Sequence, residues 1–182
     1  ISGWLENCVA KSANLNPGQR KRSTRSVSAP SGAYFVHTAD SATDQFGADA
    51  PDPREDIVFA SFEGSDYGSW STTGEAFGAG PVPGTLPGQS QVTGFEGQKL
   101  VNSFIKGDTT TGTLRSREFK IERWFVNFKI GGGLHPGKTC INLIVDGKVV
   151  RTSTGLSNEA LLWDCWNVQE YASKIGCIEI VD

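Results

Sequence analysis

Methionine is absent from the 182 residues, and histidine occurs only at His37 and His135. A primary translation product begins with Met and this chain begins with Ile1, so it is expected to be processed, trimmed or partly represented. No basic segment followed by an apolar one opens the chain, and its removal would leave such a start. An extracellular, periplasmic or organelle-lumen location is therefore expected. No run of about 18 apolar residues exists, so no membrane-spanning segment is expected. Neither sign of charge prevails: 17 Lys and Arg stand against 20 Asp and Glu, for a formal net charge of −3. A protein built to coat nucleic acid would be basic, and no nucleic-acid partner is expected. Cysteine is sparse, at Cys8, Cys140, Cys165 and Cys177, with no C-x-x-C pair. With so few histidines, that spacing argues against zinc. The plain reading is buried thiols acting as small hydrophobes.

The familiar catalytic signatures are also missing. There is no G-x-S-x-G elbow, no H-E-x-x-H and no phosphate-binding G-x-x-x-x-G-K-[ST]. His135 has no Ser or Cys nucleophile and Asp partner in a recognisable order. With 20 acidic residues, a carboxylate pair is always available and carries little weight. No catalytic residue is assigned, and the chain is expected not to be an enzyme.

Glycine is what the chain has in excess. Its 22 glycines exceed the usual share of about 7%. Many tight turns follow, and with them an all-β reading. Asp56–Phe62, Leu100–Ile105 and Glu118–Ile121 read as strands. In Trp124–Ile130 the residues Val126, Phe128 and Ile130 share one face. The strongest local signal is Asp146-Gly147 between Cys140–Val145 and Lys148–Thr152, because a two-residue type I′ hairpin needs positive φ at both central residues. Trp166–Val168 and Gly176–Val181 read as further strands, and Asn158–Leu162 as a short helical turn. The expected fold is an antiparallel β-sandwich, of a jelly-roll or carbohydrate-binding-module kind, over 56–182.

Residues 1–55 read differently, as an extended low-complexity arm or linker. Residues 1–36 hold five basic residues against Glu6, while residues 37–56 hold six acids against Arg54. Neither part keeps a period of 2 or 3.6. The arm's apolar residues are thinly spread, as in a segment that wraps a partner. Trp4, Leu5, Val9, Tyr34, Phe35 and Val36 are its expected anchors, on another chain or on the sandwich.

Several residues are candidates for ligand contact. Tyr67 and Trp70 follow a turn rich in Gly and Ser, and aromatic faces either stack on sugar rings or fill a core. Gly131, Gly132 and Gly133 permit close approach of a ligand or of a neighbouring strand, and His135 follows them. Glu63, with Asp66 nearby, offers hard oxygen ligands for a structural calcium.

The residues then suggest a family. Phe62–Trp70, Gly74–Gly78, Gly84–Gln89, Leu100–Phe104, Ile130–Gly133, His135–Leu143 and Val145–Thr152 carry the likeness, the last three reading IGGG, HPGKTCINL and VDGKVVRT. This run resembles a β-sandwich module that precedes the catalytic domain in many bacterial family-32 glycoside hydrolases, the levanase and invertase group. The resemblance implies a non-catalytic accessory module with a carbohydrate-binding or domain-packing role beside an enzyme. The family's catalytic Asp in its N-D-P-N-G context is absent, and its closing strand is expected after Asp182 but does not follow. Cys165 and Cys177 depart from the family pattern together and are the candidates for a disulfide between neighbouring strands. The alternative is a structural subunit of a large assembly, held to neighbouring protein chains by its N-terminal arm.

Overall fold

The computed structural model describes residues 3–6, 36–37 and 56–182. Its elements in chain order are β1 (Gly3–Glu6), β2 (Val36–His37), β3 (Ile57–Val58), β4 (Ser71–Gly74), β5 (Val101–Asn102), β6 (Gly112–Arg115), β7 (Phe119–Lys120), β8 (Phe125–Gly132), β9 (Cys140–Val145), β10 (Lys148–Ser153), β11 (Asn158–Asn167) and β12 (Ile175–Val181). The described residues contain no α-helix, only a 3₁₀ turn at Gln169–Tyr171. No helix among them is long and apolar enough to cross a membrane.

Among the described residues, two six-stranded antiparallel sheets form. In the first, β8 pairs with β11 on one edge and with β1 and β2 on the other, and β5 and β3 continue beyond them. In the second, the order is β10-β9-β12-β6-β4, with β7 also against β12. One core joins the sheets. Val101, Val126, Phe128, Ile130 and Trp166 come from the first, and Leu114, Ile141, Leu143, Val145, Ile178 and Ile180 from the second. The structure is thus an all-β antiparallel sandwich. The period-2 face of β8 points inward, and Phe128 stacks edge-on against Trp166 with ring centroids 4.5 Å apart.

The Asp146-Gly147 hairpin forms where its chemistry requires. Both residues have positive φ, 52° and 71°, and Lys148 pairs with Val145 across the turn. Other elements depart from expectation. Asn158–Leu162 is part of a ten-residue strand and not a helical turn. The reason is the neighbour: Leu162 to Asn167 pair residue by residue with Ile130 to Phe125 of β8. The strand expected over Asp56–Phe62 stops at Val58, and Phe62 takes a φ of 51°, which ends an extended run. β4 and β6 were not legible as strands, because the Ser-Thr-Thr-Gly of β4 is exposed throughout and lacks apolar alternation. Thr73 of β4 and Thr113 of β6 instead share a hydroxyl–hydroxyl bond of 2.7 Å.

The N-terminal segment contributes backbone to the first sheet. Trp4 and Leu5 pair with Gly131 and Ile130 on one side and with Asn102 and Val101 on the other. Val36 pairs with Val58 and Asn127. Val9, Tyr34 and Phe35 lie outside the described residues, as does Cys8.

The disulfide expected between Cys165 and Cys177 does not form. Cys165 lies on β11 of the first sheet and Cys177 on β12 of the second, and both are free thiols. The two strands follow one another in sequence, but the chain crosses between sheets to connect them. Cys140 is a buried free thiol, as read from its place in an apolar strand.

Candidate functional site

The aromatic pair singled out for ligand contact belongs to the core. Tyr67 is buried, and its hydroxyl donates to the Phe77 carbonyl at 2.8 Å. Burial in apolar surroundings pushes that hydroxyl far above the usual phenol range. Trp70 is half-buried, edge-on to Phe62 at 5.1 Å and to Phe59 at 5.9 Å. The Gly-Ser turn before them folds both rings inward and does not present them to solvent.

The triple glycine answers to a neighbouring strand. A Cβ on Gly131 would lie 3.1 Å from the Ala160 carbonyl oxygen. Gly132 has a φ of 97°, and both Gly132 and Gly133 are buried. Gly155, in the connection from β10 to β11, lies directly on the Gly131–Gly132 backbone.

Glu63 is engaged within the fold. Its carboxylate oxygens each accept from the Gln98 N–H at 3.1 Å, and Oε1 lies 3.4 Å from the Lys99 N–H. Lys99 returns a bond from Nζ to the Gly64 carbonyl at 2.6 Å. The carboxylate thus clasps the loop before β5. Calcium takes about six to eight oxygen ligands. Among the described residues, no group of three or more His, Cys, Asp or Glu side chains converges as a metal site.

His135 does reach a cavity. A pocket of about 380 Å³ opens at the end of the sandwich where β8 passes the chain to β9. His135, Lys138 and Thr139 line it from that connection, Asp108, Thr110 and Thr111 from the β5–β6 connection, and Asp182 from beyond β12. The turn is built by His135, whose carbonyl accepts from the N–H groups of Lys138 and Thr139 at 3.0 and 2.9 Å. Thr154 ties it down. Its hydroxyl accepts from the His135 N–H at 3.2 Å and lies 2.8 and 2.7 Å from the carbonyls of Gly133 and Thr139, donating its one proton to either.

Asp182 sits between the two connections: its strand pairs Val181 with Cys140 on one side, and it exchanges backbone bonds of 2.7 and 3.0 Å with Gly112 on the other. Its Oδ1 accepts from the Thr139 hydroxyl at 3.2 Å. Burial raises the Asp182 pKa above the usual carboxylate value, hydrogen bonds from Ser103 and Thr139 oppose the shift, and the charge of Asp108 adds to it. The Thr110 Oγ1 is buried and has no hydrogen-bond partner among the described residues. The pocket thus sets two carboxyls, Asp108 and Asp182, beside Lys138 and threonine hydroxyls, an arrangement that can accept from and donate to the hydroxyls of a ligand.

Asp108, Thr110 and Asp182 carried no signal in the sequence, since each is a polar residue in a loop or at a strand end with no motif around it. Only the return of β12 beside β6 brings them together.

The Asp182 shift has a measurable consequence. An acid whose folded pKa lies above its unfolded value favours folding fully below the unfolded pKa, and that contribution is lost as pH rises through the folded pKa. Wild type should therefore lose stability relative to Asp182→Asn as pH rises from about 3 through the carboxylate range. Thermal melts of both proteins across that range check this. Parallel curves would show that Asp182 titrates as it does in the unfolded chain.

A protein of Aspergillus rugulosus named "Putative glycosyl hydrolase ecdE" is 42% identical to this chain over 154 residues, which is 83% of the chain. The chain spans about a fifth (21%) of that relative's length. No protein-family model matches the chain, and no solved structure matches it. The expectation that the chain is not an enzyme is corrected here, because a relative sharing most of its length carries an enzyme's name.

Proposed function

We propose that this chain is the β-sandwich part of a glycosyl hydrolase and that its end pocket engages carbohydrate. The observation that carries the reading is the 42% identity over 154 residues with a protein named as a glycosyl hydrolase. The pocket's chemistry supports it. Two carboxyls, a lysine, an imidazole and a buried hydroxyl with no partner among the described residues suit a ligand made of vicinal hydroxyls. Its volume of about 380 Å³ lies within the range of about 300–1,000 Å³ usual for small-molecule sites.

The family-32 resemblance is the finer form of this reading. Of the segments that carry it, HPGKTCINL supplies His135, Lys138 and Thr139 to the pocket, and VDGKVVRT forms the β9–β10 hairpin. On this reading the sandwich holds substrate or packs on the unit that cleaves it.

The test is a panel of polysaccharides and aryl glycosides offered to the full chain. Retardation in polysaccharide-containing gels, or release of reducing ends, is expected, and Asp108→Asn should weaken it about tenfold, the loss of one charged hydrogen bond. If no carbohydrate is retained or cleaved, the reading is wrong.

A further inference from the structure

The aromatic surface absent at Tyr67 and Trp70 exists elsewhere. Trp163 of β11 is 47% exposed, although it sits within a strand paired on β8. Its cross-strand partner is Lys129, whose ammonium lies 5.3 Å from the indole centroid. Lys129 is itself buried, at 7% exposure. Its Nζ donates to the Gly94 carbonyl at 2.5 Å and pairs with Glu96 Oε1 at 3.0 Å.

The Gly94 turn is fixed independently. Thr93 N–H donates to the Glu159 carbonyl at 3.1 Å, and Leu161 N–H donates to the Thr93 carbonyl at 2.8 Å. Gly94 has a φ of 81°, and a Cβ there would lie 2.5 Å from the Leu161 carbonyl oxygen. So the turn is docked on β11, the lysine is locked to the turn, and the indole rests against the lysine. The ring is held by an ordered strand and a cation, yet leaves about half its surface to water.

We propose that Trp163, with Glu96 at its margin, is a stacking platform for a pyranose ring of a glycan, separate from the end pocket. This rests on the carbohydrate reading above. An indole held in place by an ordered strand and a buried cation, with half its surface exposed, presents a rigid amphipathic face of the kind enriched at contact sites. A flat ring with a charged rim suits a partner with one apolar C–H face and hydroxyls at its edge. An indole offers broad contact area with only two torsions to immobilise, so little entropy is lost on binding. Glu96, partly exposed, accepts a hydroxyl from such a ring without leaving its lysine. An apolar protein segment would use the indole but would leave the Glu96–Lys129 pair desolvated at its edge, which is unfavourable.

The experiment uses the full chain, its Trp163→Ala and Trp163→Phe variants, and the pocket variant Asp108→Asn. Binding is read by affinity electrophoresis in soluble polysaccharides and by tryptophan fluorescence during oligosaccharide titration. Trp163→Ala should weaken glycan binding at least tenfold, and Trp163→Phe should recover part of it. The urea midpoint of Trp163→Phe should match wild type, which separates binding from folding.

Wild-type binding that Trp163→Ala leaves unchanged would overturn the platform while the carbohydrate reading stands. A wild type that binds no glycan overturns both. Self-association that Trp163→Ala abolishes, with glycan binding intact, would assign the indole to a protein contact and also overturn the proposal.

Discussion

Phe128→Ala should destabilise the chain by about 3–5 kcal/mol, the usual cost of removing a buried aromatic ring. Phe128 is 0% exposed and lies between the sheets, so no solvent fills the space it leaves. Its edge-on contact with Trp166 at 4.5 Å is lost as well. Domains of this size are stable by only about 5–15 kcal/mol, so the variant should sit near its unfolding transition. A urea titration reads the effect as a drop in midpoint with little change in slope. A loss below about 1 kcal/mol would mean that the sheets do not share the core described.

Gly155→Ala should also be damaging, through overpacking. A Cβ there would meet the Gly132 carbonyl carbon at 2.5 Å and the Gly131 carbonyl carbon at 2.7 Å, both parts of backbone. No side chain can swing aside, so the connection must lift from β8, at a cost of about 1–3 kcal/mol. The effect should reach the pocket. Thr154 precedes Gly155 and bonds to Gly133, His135 and Thr139, so lifting the connection releases the β8–β9 turn. Gly155→Ala should therefore weaken carbohydrate retention more than its stability loss explains. Hydrogen exchange at the amides of 135–139 checks this directly. Unchanged protection there would show that Thr154 does not anchor the turn.

The two variants mark how legible the fold was. Phe128 could be read from alternation, because Val126, Phe128 and Ile130 repeat every second residue, and a sheet sends alternate side chains to one face. The Asp146-Gly147 hairpin was legible for a similar local reason. Gly155 could not be read. It is one glycine among 22, and its constraint comes from a strand more than twenty residues away. The same limit misplaced the aromatics. Tyr67 and Trp70 lie in a Gly- and Ser-rich segment whose composition does not show that the chain turns them onto Phe59, Phe62 and Phe77, while Trp163 lies in an apolar run and is nevertheless exposed opposite Lys129.

What the sequence determined alone was the class of structure: short alternating runs, abundant glycine and the Asp146-Gly147 turn point to an all-β fold. It also singled out the His135 connection. The tertiary structure decided which sheet each strand joined. That assignment parted Cys165 from Cys177, made a strand of 158–162, and gathered Asp108, Thr110 and Asp182 around His135. The physical reason is that local conformation depends on a residue and its near neighbours, whereas burial, pairing and pocket chemistry depend on contacts between segments far apart in the chain.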